Sequence, residues 1–146
     1  MIRVVIDTNI IVSALLQPLG PPAQVFLLAV SGSIQVCITG EVYAEYEEVL
    51  RRPRFRRDES VIIAALEAIR KKGFWVRPTE AVQACADPDD DIFLECAQAA
   101  RAAYLVTGNT KHFPPTRRET RIVAARHFLE IIASEPEQQR RRPDKD

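Results

Sequence analysis

The sequence predicts an α/β protein: a three-layer α/β/α sandwich around a central, mostly parallel sheet of four to five strands. Three observations lead there. The first is the apolar, β-branched run Ile2-Arg3-Val4-Val5-Ile6, which suits a strand buried on both faces of a parallel sheet. The second is the alternation of such runs with segments of helical periodicity, as right-handed βαβ crossovers require. The third is the abrupt end of the first strand on Asp7-Thr8-Asn9. A carboxylate, a hydroxyl and an amide then stand at the carboxyl end of a strand, where open α/β sheets bind ligands.

The elements follow in order. Residues 10–16 form a short helix, and Gln17-Pro18-Leu19-Gly20-Pro21-Pro22 is a turn whose last two prolines suit the first turn of a second helix over about 23–30. Ile34-Gln35-Val36-Cys37-Ile38 is the second strand, and Thr39 is a good N-cap for a helix from Glu41 to about Arg52. Pro53 breaks that helix. The next, about 58–72, carries Val61, Ile62, Ala65, Leu66 and Ile69 at helical spacing and ends at Gly73. Phe74-Trp75-Val76 is a short third strand, with Trp75 expected in the core. Asp87-Pro88 opens a helix to about Ala102; Tyr104–Thr107 is a fourth strand, residues 121–124 a short fifth, and residues 126–133 the last helix.

A chain of 146 residues fits one domain, assigned to residues 1–133. Residues 134–146 are almost wholly polar or charged, cannot bury enough apolar area to offset their ordering entropy, and are expected to be a disordered tail. Net charge is zero, so no global field draws in nucleic acid and any such partner must be met by local patches. Cys37, Cys85 and Cys96 show no Cys-x-x-Cys spacing, which excludes a disulfide frame and a zinc site. No apolar run reaches spanning length, and Asp7 and Asn9 interrupt the stretch where a signal peptide would be most apolar. The expectation is a cytoplasmic protein without a membrane partner.

Further acids fall where they can meet Asp7. In the helix after strand two, Val42, Tyr46, Val49 and Leu50 define the buried stripe; at 100° per residue Glu45 borders it, while Glu47 and Glu48 point outward. The run Asp87-Pro88-Asp89-Asp90-Asp91 crowds four carboxylates into five residues. A helix start with Asp87 as cap and Asp90 as its capping-box partner accounts for two of them; a divalent cation is the obvious partner for the rest. Thr107-Gly108-Asn109 leaves the fourth strand with a hydroxyl and an amide. Such a set is made of hard oxygen donors. It fits Mg2+ or Mn2+ with retained waters better than zinc or copper. An ion of that kind can polarise a phosphoryl oxygen and lower the pKa of a water, so phosphodiester hydrolysis is the natural reaction class. A phosphatase would require an Asp-x-Asp nucleophile, and the second position here is Asn9.

These motifs carry a resemblance. Val-Val-Ile-Asp-Thr-Asn-Ile at 4–10, Glu45-Tyr46-Glu47-Glu48-Val49-Leu50, Asp87-Pro88-Asp89-Asp90 with Phe93-Leu94-Glu95-Cys96-Ala97, and Tyr104-Leu105-Val106-Thr107-Gly108-Asn109 stand in the order and spacing of PIN-domain proteins, over about residues 2–130. The chain resembles the branch that supplies toxins of toxin–antitoxin pairs. The resemblance implies an Mg2+- or Mn2+-dependent endoribonuclease hydrolysing single-stranded RNA, a cognate antitoxin protein as partner and a possible homodimer. It maps the family acids onto Asp7, Glu45 and Asp90 and adds Thr8, Asn9 and Thr107 as supporting residues. Many members carry an acid where this chain has Asn109. An amide there is a neutral ligand, so metal affinity is expected to be weaker. Asp87 and Asp91 are the neighbouring acids able to supply the missing charge.

An acidic site repels RNA, so cations must bring the strand in. Arg51-Arg52-Pro53-Arg54-Phe55-Arg56-Arg57 offers five arginines and an aromatic ring, a set able to pair with phosphate and stack a base. Arg51, Arg52 and Arg54 are therefore candidate contacts, as are Lys111 and His112 just past Asn109. His127, beside Phe128, reads as structural. The alternative to a nuclease is a non-catalytic RNA- or protein-binding module, which Asn109 keeps open.

Overall fold

The computed structural model describes residues 1–55 and 57–135, with only the backbone of Arg54. The Arg54 guanidinium, Arg56 and nearly all of the tail predicted from residue 134 therefore lie outside the described residues. The chain runs β1 (Arg3–Ile6), α1 (Thr8–Leu16), α2 (Pro21–Val30), β2 (Gln35–Ile38), α3 (Gly40–Leu50), α4 (Glu59–Lys72), β3 (Phe74–Trp75), α5 (Asp91–Ala100), β4 (Tyr104–Val106), β5 (Thr116–Arg117), β6 (Thr120–Val123) and α6 (Ala125–Ser134). Three-residue 3-10 turns at Pro53–Phe55, Pro88–Asp90 and Thr110–His112 join some of them. Ser134, assigned to the tail by composition, closes α6.

The sheet has the order β3-β2-β1-β4-β6-β5. All neighbours are parallel except β5 against β6. The expected mostly parallel α/β/α architecture is what the chain adopts. It holds six strands instead of four to five, because Thr116–Arg117 folds back as a two-residue hairpin arm too short to show a pattern. From β1 the chain moves outward through β2 to β3, then returns to the other side of β1 through α5 to β4. With right-handed crossovers this reversal puts the helical connections on opposite faces. It also makes the crevice between the ends of β1 and β4 a topological switch point. Val4, Val5, Ile6, Leu105 and Val106 are fully buried beneath α5, which packs across β1, β2 and β4.

Local chemistry sets the boundaries. Thr39 caps α3 as expected, its Oγ1 accepting the Val42 N–H at 3.1 Å. Gly73 ends α4 for a different reason from the one anticipated. Its φ is −67°, so no left-handed cap is involved. A Cβ there would lie 2.1 Å from Ile38 Cδ1 and 2.8 Å from the Ile69 carbonyl oxygen, so only glycine lets the chain turn this tightly onto β2. Trp75, expected in the core, is 44% exposed. It sits on a two-residue edge strand, packs at 5.4 Å against Tyr43 and donates its indole N–H to the Arg70 carbonyl.

Two substitutions test this frame. Tyr46 is fully buried on α3, and its hydroxyl donates to the Ile6 carbonyl at the end of β1. Tyr46→Phe leaves that buried carbonyl unpaired and is expected to cost about 1–2 kcal/mol, read as a lower urea midpoint at unchanged slope. Arg118 opens the two-residue turn between β5 and β6 at φ 53°, where a side chain is strained and glycine is preferred. Arg118→Gly is expected to stabilise the protein by about 0.5–1 kcal/mol, since the exposed ion pair it loses contributes little.

Candidate active site

The site begins with the register of β1 and β4. Ile6 pairs with Val106, so Asp7 and Thr107 emerge side by side at the switch point. The Asp7 N–H donates to the Val106 carbonyl at 2.9 Å. The residue is 7% exposed. Asp7 occupies the N-cap position of α1 but makes no side-chain capping bond to that helix. Its Oδ2 instead accepts the Thr107 hydroxyl at 2.7 Å. The Thr107 Oγ1 in turn accepts the Asn109 N–H at 3.0 Å, and Asn9 Oδ1 accepts the Gly108 N–H at 3.1 Å. The turns after β1 and β4 are thus locked together across the crevice by the side chains of Asp7, Asn9 and Thr107. Thr8 is buried as well, and its hydroxyl oxygen has no hydrogen-bond partner among the described residues.

Glu45 and Asp90 approach from α3 and from the 3-10 turn before α5. The Tyr46 bond to Ile6 holds α3 against the end of β1 and so brings Glu45, half-buried at the stripe's border, toward Asp7; Glu47 and Glu48 are exposed. Burial pushes the Asp7 carboxyl above its usual range, opposed by the Thr107 hydroxyl, the N–H groups of Thr8 and Asn9, and His112. Burial likewise raises Asp90, with Asp7 and Asp87 adding to the effect and His112 opposing it. Glu45 is raised by burial and then by Glu48, partly offset by Arg52, with further upward pushes from Asp7 and Asp89. Asp7 is thus a common electrostatic neighbour of Glu45 and Asp90, and each of the three carries a net cost of ionisation.

Among the described residues, no three histidine, cysteine, aspartate or glutamate side chains are gathered closely enough to form a ready-made metal cage. The donor chemistry nonetheless fits a hard divalent ion that keeps several waters: acid oxygens raised by burial and mutual repulsion, the unpartnered Thr8 hydroxyl, and the Asn109 amide on an exposed turn.

Two other acids of the 87–91 run, Asp87 and Asp91, have local duties. Asp87 Oδ1 accepts the Asp89 N–H at 3.0 Å and caps the 3-10 turn, so the cap is made, while its expected capping-box partner Asp90 makes no capping bond. His112 Nδ1 lies 3.9 Å from Asp90 Oδ2. Asp91 is buried and its Oδ1 accepts the N–H groups of Ala84 and Cys85 at 3.1 and 2.9 Å. Burial pushes its carboxyl up, but those bonds, the Cys85 thiol and the charge of Arg117 outweigh it and hold Asp91 below the usual carboxylate range. Asp91 is therefore a tie between α5 and the preceding loop.

The expected cationic contacts divide. Arg51 is ion-paired with Glu59, and Arg52 lies 3.6 Å from Glu48. Lys111 is exposed just past the site. His127, read as structural, is exposed and lines a groove with Lys111; Phe128 is the buried neighbour. Arg126, not singled out by the sequence, lines a cleft together with Asn9, Thr107 and Asn109. A single arginine opening a helix shows no pattern, so only the fold could place it there.

A mostly parallel α/β sheet with a buried acid at its switch point is the architecture of an α/β protein whose ligand site lies in that crevice. The comparison with known families is specific: residues 3–111 match the PIN domain, and the chain belongs to that family. PIN domains are generally nucleases and typically use divalent metals. The chain is also 29% identical over 111 residues to the uncharacterized protein MJ1680 of Methanocaldococcus jannaschii, covering 74% of this chain and 71% of that protein.

Proposed function

We propose that the protein is an Mg2+- or Mn2+-dependent endoribonuclease that hydrolyses single-stranded RNA. The observation that carries this reading is Asp7. It is buried in the switch-point crevice, with the Thr107 hydroxyl and the N–H groups of Thr8 and Asn9 easing its charge only in part, and has no ion-pair partner within 4 Å among the described residues. A buried carboxylate kept in that state is a poor structural device and a good cation ligand. Asp7, Glu45 and Asp90 would hold the ion, with the Asn109 amide as a neutral fourth donor. When bound, the ion supplies Lewis-acid polarisation of the phosphoryl group. The chain's own contribution is orientation: Thr107 fixes the Asp7 oxygen, Tyr46 fixes the helix bearing Glu45, and the Asp87 cap fixes the turn bearing Asp90.

The toxin role, with an antitoxin protein as partner, is part of the same reading and rests on the resemblance of the motifs to that branch. Growth arrest on expression, relieved by a neighbouring small protein, is its test. The nuclease itself is tested by incubating a labelled single-stranded RNA with the protein in Mn2+, in Mg2+ and in EDTA, beside a DNA of the same sequence. Metal-dependent RNA cleavage is expected. Absence of both cleavage and metal binding would leave the non-catalytic binding module, which the replacement of an acid by Asn109 favours.

A further inference from the structure

Two surface grooves meet at the first turn of α6. One is a cleft of about 400 Å3 that shares Asn9, Thr107 and Asn109 with the acidic site and has Arg126 in its lining. Ile10, Pro21 and Pro22 give it an apolar wall. The other, of about 520 Å3, is lined by Lys111 and His127, and the two share Ala124. The two grooves therefore adjoin at Ala124, just past the end of β6, and define a path beside the site.

What marks this path is that its cations stand beside the acidic site. Elsewhere on the surface Arg51, Arg52, Arg70, Arg101 and Arg118 each have a glutamate partner, while the exposed Arg57, Lys71, Lys72, Arg77 and Arg121 line neither groove. Along the path Lys111, Arg126 and His127 have no ion-pair partner among the described residues, and all three are exposed. In a chain of zero net charge, cations left unpaired beside an acidic crevice form the local patch able to offset its repulsion of a polyanion. No aromatic ring lines the cleft that holds Arg126, so this subsite offers phosphate and sugar contacts without a platform for base stacking, whereas Phe113 and the exposed His127 ring line the second groove.

We propose that this path carries the phosphate backbone of single-stranded RNA on one side of the scissile bond, with Arg126 as the residue that positions the phosphate next to the acidic site and Lys111 as a second cation. The proposal rests on the nuclease reading and adds to it the direction the strand takes and the insensitivity of this subsite to base identity.

The test is fluorescence anisotropy of a labelled single-stranded RNA of about ten nucleotides across a salt series, with the non-cleaving Asp7→Asn protein as background, alongside steady-state cleavage by proteins with Asp7 intact. Arg126→Ala is expected to weaken binding about five- to tenfold, equally for different sequences. It should flatten the dependence of log K on log salt by about 0.7, the share of one single-strand phosphate contact. In cleavage it raises KM and leaves kcat within about twofold, and Arg126→Lys restores the salt slope because a point charge suffices to neutralise a phosphate. Arg70→Ala, which removes a cation paired with Glu67 on α4, leaves binding unchanged. Affinity and salt slope unaltered by Arg126→Ala, or no RNA binding at any salt, would overturn the path. Arg126-dependent binding without cleavage would overturn the nuclease reading alone, and cleavage indifferent to Arg126 would overturn the path alone.

Discussion

Asp7→Asn is expected to lower metal-dependent RNA cleavage by roughly 10³-fold, because the ion that Asp7 is proposed to hold would contribute several kcal/mol to the transition state. The same substitution should make the metal-free protein more stable. The sign follows from the direction of the shift. Burial raises the Asp7 carboxyl in the folded state, so the fold binds that proton more tightly than the unfolded chain does. Stability from this group is complete below the unfolded pKa of about 3.9 and is lost as pH rises through the folded value. At pH 7 the ionised carboxylate therefore costs stability. Asparagine keeps an oxygen able to accept the Thr107 hydroxyl and removes the charge. Melting temperatures measured without metal should be higher for Asp7→Asn than for the unaltered protein at pH 7, and the gap should close below about pH 4. Adding Mn2+ reverses the order: the unaltered protein gains with ion concentration by mass action and the variant does not. A variant that melts well below the unaltered protein at pH 7 would show that the carboxylate is a structural group. Cleavage at an undiminished rate would remove Asp7 from the chemistry.

How much of this was legible in the sequence depends on whether a feature is local. The strand Arg3–Ile6, the cap at Thr39 and the inward lean of Glu45 follow from side-chain type and helical spacing alone, and the structure shows each of them. The bond from the Thr107 hydroxyl to Asp7 spans a hundred residues; the motifs place both groups at strand ends, but only the register of β1 with β4 makes them neighbours. Features decided by an ion pair or an edge were the ones misjudged. Trp75 has the composition of a core residue yet sits on an edge strand with nothing beyond it. The arginines after α3 form the most conspicuous basic run, yet two of them have acidic partners on neighbouring elements, while the isolated Arg126 borders the site. Composition counts charges and cannot tell a paired one from a free one.

Asp91→Ala separates a structural acid from Asp90, the proposed metal ligand in the same five-residue run. Its Oδ1 accepts two backbone N–H groups that hold the loop before α5. Truncation strands both donors; since the loop is partly exposed, water replaces some of what is lost, and the expected cost is about 1–3 kcal/mol. The hydrogen bonds outweigh burial and hold this carboxyl below the usual range, so the sign is opposite to that of Asp7. Its contribution is present above the unfolded pKa of about 3.9 and is lost as pH falls through the folded value. The stability gap between the unaltered protein and Asp91→Ala should thus be full at pH 7 and shrink below pH 4. Amide exchange should accelerate at Ala84 and Cys85 before it does elsewhere. Affinity for Mn2+ decides the remaining question, because Asp91 is one of the acids able to stand in for the charge missing at Asn109. If it only ties the loop, metal affinity changes by no more than about threefold, as an indirect effect on Asp90 next to it. A tenfold or larger loss, with the loop amides still protected, would mean that the carboxylate leaves its backbone partners to coordinate the ion, and the division of labour among these four acids would have to be redrawn.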